Sequence, residues 1–186
     1  MKYSCAIIVG EPSADVLGEE ILKSSPKDIF WFGVGGPLMK NNGLYSIMDW
    51  NSIRGFGLGD VLLRIPILLY NSYKLADIII DKKPDIIFTV DNKGFNFFLL
   101  RIIRKKIRFK EYKPKIIHVV APTVWAWRTS RSKNIKGLMD KLLCLFPSEP
   151  PYFTKHGIDA IYIGHPAVNN LSILKKRSKL FSLIGL

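Results

Sequence analysis

Apolar residues in this chain come as short unbroken runs separated by longer mixed stretches. The first run spans 4–9 and stops at Gly10, and 13–23 then has helical spacing. A second run, 29–32, is rich in aromatics and ends in Gly33. Residues 60–82 predict one long helix, which Pro84 terminates. The pattern continues with a strand over 85–90, a helix over 95–105, a strand over 115–120 and a helix over 131–139. It closes with a strand over 141–146, a short helix over 149–156 and a short strand over 160–163. The strand runs are continuous rather than alternating, so both sheet faces should be buried. Such runs interleaved with helices predict an α/β fold, a parallel sheet of βα units with helices on both faces. No internal repeat or low-complexity tract interrupts the pattern.

Length and charge narrow the picture. A chain of 186 residues suits one domain with a sizeable core, or one and a half small ones. There are 28 Lys and Arg against 15 Asp and Glu, a net charge of +13. That balance favours a polyanionic partner: nucleic acid, an anionic membrane surface or a phosphorylated substrate. It excludes an acidic tail protein. Cys5 and Cys144 lie in apolar runs and read as small buried hydrophobes. No CxxC or His/Cys spacing suits a structural zinc, and the cysteine count gives no disulfide framework, which fits a reducing compartment. Glu11 cuts short the apolar stretch after Lys2, so the start reads as a strand and not as a secretory signal. The apolar stretch 61–80 is broken by Arg64, Asn71, Lys74 and Asp77 and contains Pro66, so it reads as a soluble or surface-lying helix and not a membrane span. After Leu171 come a basic run, 175–179, and an apolar end, 180–186. Either this tail docks back on the domain, or something meant to follow it is missing.

In an open parallel sheet, ligands bind beyond the carboxyl ends of the strands. Six segments fall on that edge: 10–15, 33–37, 91–92, 121–128, 147–149 and 164–166. In the first, Pro12 holds Glu11 extended and Ser13 can cap the following helix, whose N-terminus suits an anion or a hydroxyl-rich ligand. An ordinary strand-to-helix turn explains the same residues. The glycines of 33–37 match neither GxGxxG nor GxxxxGK[ST]. Asp91 directly follows the apolar strand. Burial there would raise its pKa and make it a better general base, whereas the plain alternative is a cap on the 95–105 helix. Trp125 and Trp127 can stack on a sugar or a base, and Arg128 and Arg131 can grip phosphate. The plain alternative puts the tryptophans in the core and the arginines in solvent. Single-strand nucleic-acid platforms also interleave aromatic and basic residues, but on sheet faces or OB-folds, which this pattern is not. His118 reads as a satisfied core histidine and His156 as a helix C-terminal residue. His165 is the only histidine on the site edge, and no Ser/His/Asp or Cys/His arrangement can be assembled.

Taken together, GEPSAD (10–15), GVGGPLM (33–39), Lys83-Pro84-Asp85 with Asp91, Phe95 and Asn96, APTVWAWR (121–128) with Arg131, Leu145-Phe146-Pro147 with Glu149, and Gly164-His165-Pro166 resemble the lipid-A-disaccharide synthase family. The resemblance keeps the right order over 7–168. It implies the Rossmann-like N-terminal, acceptor-side domain of a GT-B glycosyltransferase over 1–170, with 171–186 a basic and apolar tail where the donor-binding domain would begin. That second domain would be missing. The implied reaction transfers 2,3-diacylglucosamine from its UDP form to lipid X, giving lipid A disaccharide 1-phosphate and UDP by inversion. Asp91 would be the base. Gly10, Glu11, Ser13, Asn96, Trp125 and Trp127 would contact the acceptor, Arg128 and Arg131 the phosphates, and Glu149 and His165 would complete the site. The UDP-sugar is a substrate, so neither cofactor nor metal is implied. The helix over 61–70 would touch acyl chains or the bilayer, placing the chain in the cytoplasm at the anionic inner-membrane surface. A separate donor-domain chain is a further implied partner, and nucleic acid is not one. In departure from the family pattern, Ala14 replaces a Gly, Lys93-Gly94 a Pro-Asp pair, Ser148 an aromatic and Asn169 an Asp. Two readings compete: a truncated, inactive remnant, and a basic module that binds nucleic acid or anionic membrane.

Overall fold

The computed structural model describes residues 3–54, 61–122 and 135–165. Seven strands form one sheet: β1 (Tyr3–Val9), β2 (Ile29–Val34), β3 (Tyr45–Ser46), β4 (Ile86–Val90), β5 (Lys115–Val119), β6 (Lys141–Cys144) and β7 (Ala160–Tyr162). Their order is β3-β2-β1-β4-β5-β6-β7, and every pairing is parallel. Among the described residues the helices are α1 (Pro12–Ser24), α2 (Pro37–Asn41), α3 (Val61–Lys82), α4 (Lys93–Ile107) and α5 (Pro150–Thr154), with a 3-10 turn at Trp50–Ser52. This is a Rossmann-like α/β fold.

The continuous apolar strands bury both faces, as their composition predicts. On β1, Cys5, Ile7 and Val9 pack into one core layer with Trp31, Met39 and Phe88. Ala6 and Ile8 point the other way, into a layer with Phe32, Leu75, Ile79, Leu99 and Phe153. Burying each large apolar side chain contributes about 1.5–3 kcal/mol, so the sheet is a firm platform. Helix α1 presents Ala14, Gly18, Ile21 and Leu22 to the first layer at helical spacing. Gly18 lets α2 approach closely, because a Cβ there would lie 2.3 Å from the Met39 sulfur. Helices α3 and α4 cover the opposite face. The chain therefore leaves β1 toward one face and β4 toward the other, although the two strands are neighbours. That divergence opens a crevice at their carboxyl ends.

Several expectations are corrected. Helix α1 begins one residue early, at Pro12. Its N-cap is Glu11, without a side-chain cap hydrogen bond, so Ser13 is not the cap. Proline has no N–H to satisfy and its fixed φ suits the first helical position, which sets that boundary. Helix α4 starts at Lys93 rather than Phe95. Of the stretch read as a helix over 131–139, residues 131–134 lie outside the described residues; Ile135 is 3-10 helical and 136–138 form a turn, with a bond from Leu138 N to Ile135 O and Gly137 left-handed at φ +81°. Helix α2 and strand β3 lack a run long enough to be seen in the sequence. Both cysteines are free and buried, and burial pushes each thiol up to about 12.

Candidate functional site

The crevice between the ends of β1 and β4 is built from two turns. After β1, Gly10 is buried against the other turn: a Cβ there would lie 2.4 Å from Asn92 Nδ2 and 3.3 Å from the Ile53 carbonyl. Glu11 follows in extended conformation, with φ −136° and ψ 151°, as Pro12 requires. Its carboxyl is held above its ordinary value, first by burial and then by the charge of Asp91, with Lys93 opposing. Ser13 is exposed on the same rim.

After β4, Asp91 and Asn92 are both left-handed, at φ +48° and +39°. Asp and Asn tolerate this region better than other residues with a Cβ. The Asp91 N–H continues the sheet by donating to the Val119 carbonyl at 2.9 Å. The N-cap of α4 is Asn92, without a side-chain cap bond, so Asp91 does not cap the helix. Nor is its side chain buried as expected. It sits on the rim past the last strand residue, 27% exposed, with Lys93 Nζ 3.6 Å from Oδ1. Lys93 thus pairs with Asp91, and the charges of both bear on Glu11, which comes from a strand far away in sequence. Lys93 is a site residue that sequence reasoning missed, since nothing in its position tells where its amine points.

Asn96, expected to contact the acceptor, faces the backbone and not the open crevice. It is fully buried under the Asp91 turn, and its Nδ2 donates to the carbonyls of Asp91 (2.8 Å) and Val90 (3.2 Å). It shares the inner face of α4 with Leu99, Leu100 and Ile103, a spacing that signals burial. Asp15 is also buried. It accepts from the N–H groups of Gly36 (2.8 Å), Leu38 (3.0 Å) and, more weakly, Met39 (3.4 Å). The GEPSAD and GVGGPLM segments are therefore one structural unit, with Asp15 bracing the start of α2.

Glu149 and His165 form a separate group around Phe146. Glu149 is buried and accepts from the Phe146 N–H at 3.0 Å, while the His165 ring lies 5.9 Å from the Phe146 ring. They belong to the ends of β6 and β7, two and three strands from β4, or about 10–14 Å along the sheet. Trp125, Trp127, Arg128 and Arg131 lie outside the described residues, as do Asn169 and the tail 171–186. His118 is deep in the sheet. Its Nδ1 is hydrogen-bonded to Thr89 Oγ1 at 2.7 Å, but its Nε2 makes no hydrogen bond, so it is only half satisfied. Burial, reinforced by Lys93, pushes the imidazole down to about 3.

An apolar cavity of about 260 Å³ lies between α3 and α4, lined by Ile53, Ile65, Leu68, Leu69, Ser72, Asn92, Gly94, Phe95 and Phe98. Asn92 joins it to the Asp91 turn. Toward α3 the surface stays apolar, with Ile65, Ile67, Leu69 and Tyr70 all exposed. Among the described residues, no helix is long and apolar enough to cross a membrane.

Residues 5–186 match the sequence profile of a family described as Lipid-A-disaccharide synthetase. The lipid-A-disaccharide synthase of Rhodospirillum centenum is 35% identical over 168 residues, covering 88% of this chain and 41% of that protein. The one from Chlamydia caviae is 37% identical over 173 residues, covering 91% and 27%. The chain thus spans less than half the length of these relatives. Among solved structures, a Methanocaldococcus jannaschii UDP-GlcNAc 2-epimerase in complex with UDP-GlcNAc and UDP superposes with a TM-score of 0.59 at 15% identity, covering 97% of this chain and 52% of that one. At that identity the likeness is one of fold.

Proposed function

The chain belongs to the lipid-A-disaccharide synthetase family, and from that premise we propose that it forms the acceptor side of a glycosyltransferase that moves 2,3-diacylglucosamine from UDP onto lipid X. The observation that carries this reading is the Asp91 carboxylate on the rim of the crevice where β1 and β4 diverge, 27% exposed and 3.6 Å from Lys93 Nζ. Asp91 takes the proton from the acceptor 6-hydroxyl. The resulting oxygen attacks C1 of the donor sugar from the face opposite UDP. The C1–O bond to UDP breaks, UDP leaves with the electron pair, and the new linkage has inverted configuration. Asp91 suits this role because it neither caps a helix nor is sealed from the crevice. Glu11, whose carboxyl is held up by burial and by Asp91, keeps a proton more readily and hydrogen-bonds the acceptor hydroxyls. The UDP-sugar is a substrate here, and the scheme calls on no cofactor.

The apolar cavity beside Asn92 and the exposed face of α3 support the lipid part of the reading. An acyl chain of the acceptor lies in that cavity, and Ile65, Ile67, Leu69 and Tyr70 rest against the cytoplasmic face of the inner membrane. The net charge of +13 suits that anionic surface. Turnover also requires a donor-binding domain, in the same polypeptide or in a second one.

The test supplies the full chain with the donor-binding half of the Rhodospirillum centenum relative and follows disaccharide formation from UDP-2,3-diacylglucosamine and lipid X. Product should form, and Asp91→Asn should slow it by about 100-fold or more. Wild-type turnover in Asp91→Asn removes Asp91 from the chemistry.

A further inference from the structure

We propose that Asn96 is a positioning residue, whose side-chain amide holds Asp91 in its left-handed turn and so sets where the Asp91 carboxylate points. The inference rests on the reading of Asp91 as base and goes beyond it, because it assigns a role to a residue that the reaction never touches.

Consecutive left-handed residues that carry a Cβ are uncommon, and they persist only when the surroundings fix them. At the end of β4 the chain turns twice in this way, at Asp91 and Asn92. The turn rotates the carbonyls of Val90 and Asp91 under the start of α4, where each needs a donor. Asn96 supplies both from one NH2 group, at 3.2 and 2.8 Å. Its own Oδ1 is buried and makes no hydrogen bond, so the two carbonyls decide how the amide faces. The neighbouring bonds do not replace it. Asp91 N–H ties the turn to β5, and Asn92 Nδ2 reaches the Ile53 carbonyl only at 3.4 Å. Losing the Asn96 amide would leave the Val90 carbonyl unpaired in a buried space and the Asp91 carbonyl in a part-buried one, and the turn would relax. The carboxylate, two bonds from the Asp91 Cα, would swing with it.

The experiment uses the full chain, isotopically labelled, with Asn96→Ala and the milder Asn96→Ser, which keeps one donor. Backbone and Cβ chemical shifts of Asp91 report its φ, and turnover is measured with the donor half and lipid X. In Asn96→Ala the Asp91 shifts should leave the left-handed range. Its kcat should fall on the order of 100-fold, the cost of a misplacement of about 1 Å, while the acceptor KM stays within about twofold. Asn96→Ser should fall between, and it decides the matter if the alanine variant does not fold. Unchanged Asp91 shifts in these variants overturn the positioning role, as does a raised acceptor KM with kcat intact, which marks a direct acceptor contact. Wild-type turnover in Asp91→Asn overturns the base assignment together with this role. Unchanged Asn96 variants beside an inactive Asp91→Asn overturn this role alone.

Discussion

Asp15→Ala tests whether the GEPSAD motif is architecture or chemistry. The Asp15 carboxylate is 2% exposed and accepts short bonds from the N–H groups of Gly36 and Leu38, with a longer one from Met39. A hydrogen bond to a charged group contributes about 1.5–3 kcal/mol, and an orphaned buried donor costs about 1–3 kcal/mol. The Gly36 N–H lies in a buried bond and has nowhere to go, while the Leu38 N–H is part-buried and can reach water. The 3.4 Å contact to Met39 adds little. Together the loss comes to about 3–4 kcal/mol. With a urea m-value of about 2 kcal/mol/M, the unfolding midpoint should drop by about 1.5–2 M. The measurement is urea denaturation of the full chain by far-UV circular dichroism. Glu19→Ala is the control on the same helix pair, since Glu19 bonds Asn42 and Lys23 nearer the surface and should cost about 1 kcal/mol or less. A shift below about 0.5 M for Asp15→Ala, or one no larger than the control, refutes the bracing role.

Two further outcomes concern pH. The folded His118 value, pushed down to about 3, lies below the ordinary 6.5. The native state therefore binds fewer protons between those values, and stability falls as pH drops below about 6.5, by up to about 1.4 kcal/mol per pH unit. Urea midpoints between pH 7.5 and 4.5 should show that slope in the wild type and a flatter one in His118→Leu; equal slopes refute it. Glu11 has the opposite sign, because its folded value is raised above the ordinary 4.5. The folded state binds the proton more tightly, so this group costs stability as pH rises. Glu11→Gln should raise Tm at pH 7 and lose that advantage below about pH 4, and an equal gain at both pH values contradicts the assignment.

The sheet was legible because its strands are unbroken apolar runs, a signal that survives without any neighbour. Strand β3 was not, since it is two residues long and both are exposed. The run around Ile135, Leu138 and Met139 has helical spacing, yet the left-handed Gly137 places a turn there, and spacing alone does not see φ. Asp91 was legible as a strand-tip carboxylate. Its exposure was not, because whether a rim residue is sealed depends on the turn it sits in. The burial of Asn96 under the Asp91 turn is hidden by its motif for a different reason. Membership in a motif says that a residue matters, but not whether it faces the ligand or the backbone. The inward spacing of 96, 99, 100 and 103 carried that answer in the sequence.

Asp15 and Asn96 occupy the same place in two different units: each is the fourth residue of the helix that follows its strand. In a parallel sheet these helices start at the ligand edge, and helical side chains lean back toward the helix N-terminus. A polar side chain on the inner face of the first turn therefore points at the loops that build the site, and not at the substrate. Asp15 offers acceptors and holds three N–H groups of the turn after β2, on one face of the sheet. Asn96 offers donors and holds two carbonyls of the turn after β4, on the other. Each chemistry matches what its turn exposes: a helix start presents N–H groups, and a left-handed strand end presents carbonyls. The turn after β2 and the turn after β4 are thus fixed independently, from opposite faces of the sheet. Loosening one turn should leave the other in place. The double variant Asp15→Ala/Asn96→Ala should accordingly lose stability by close to the sum of the two single losses.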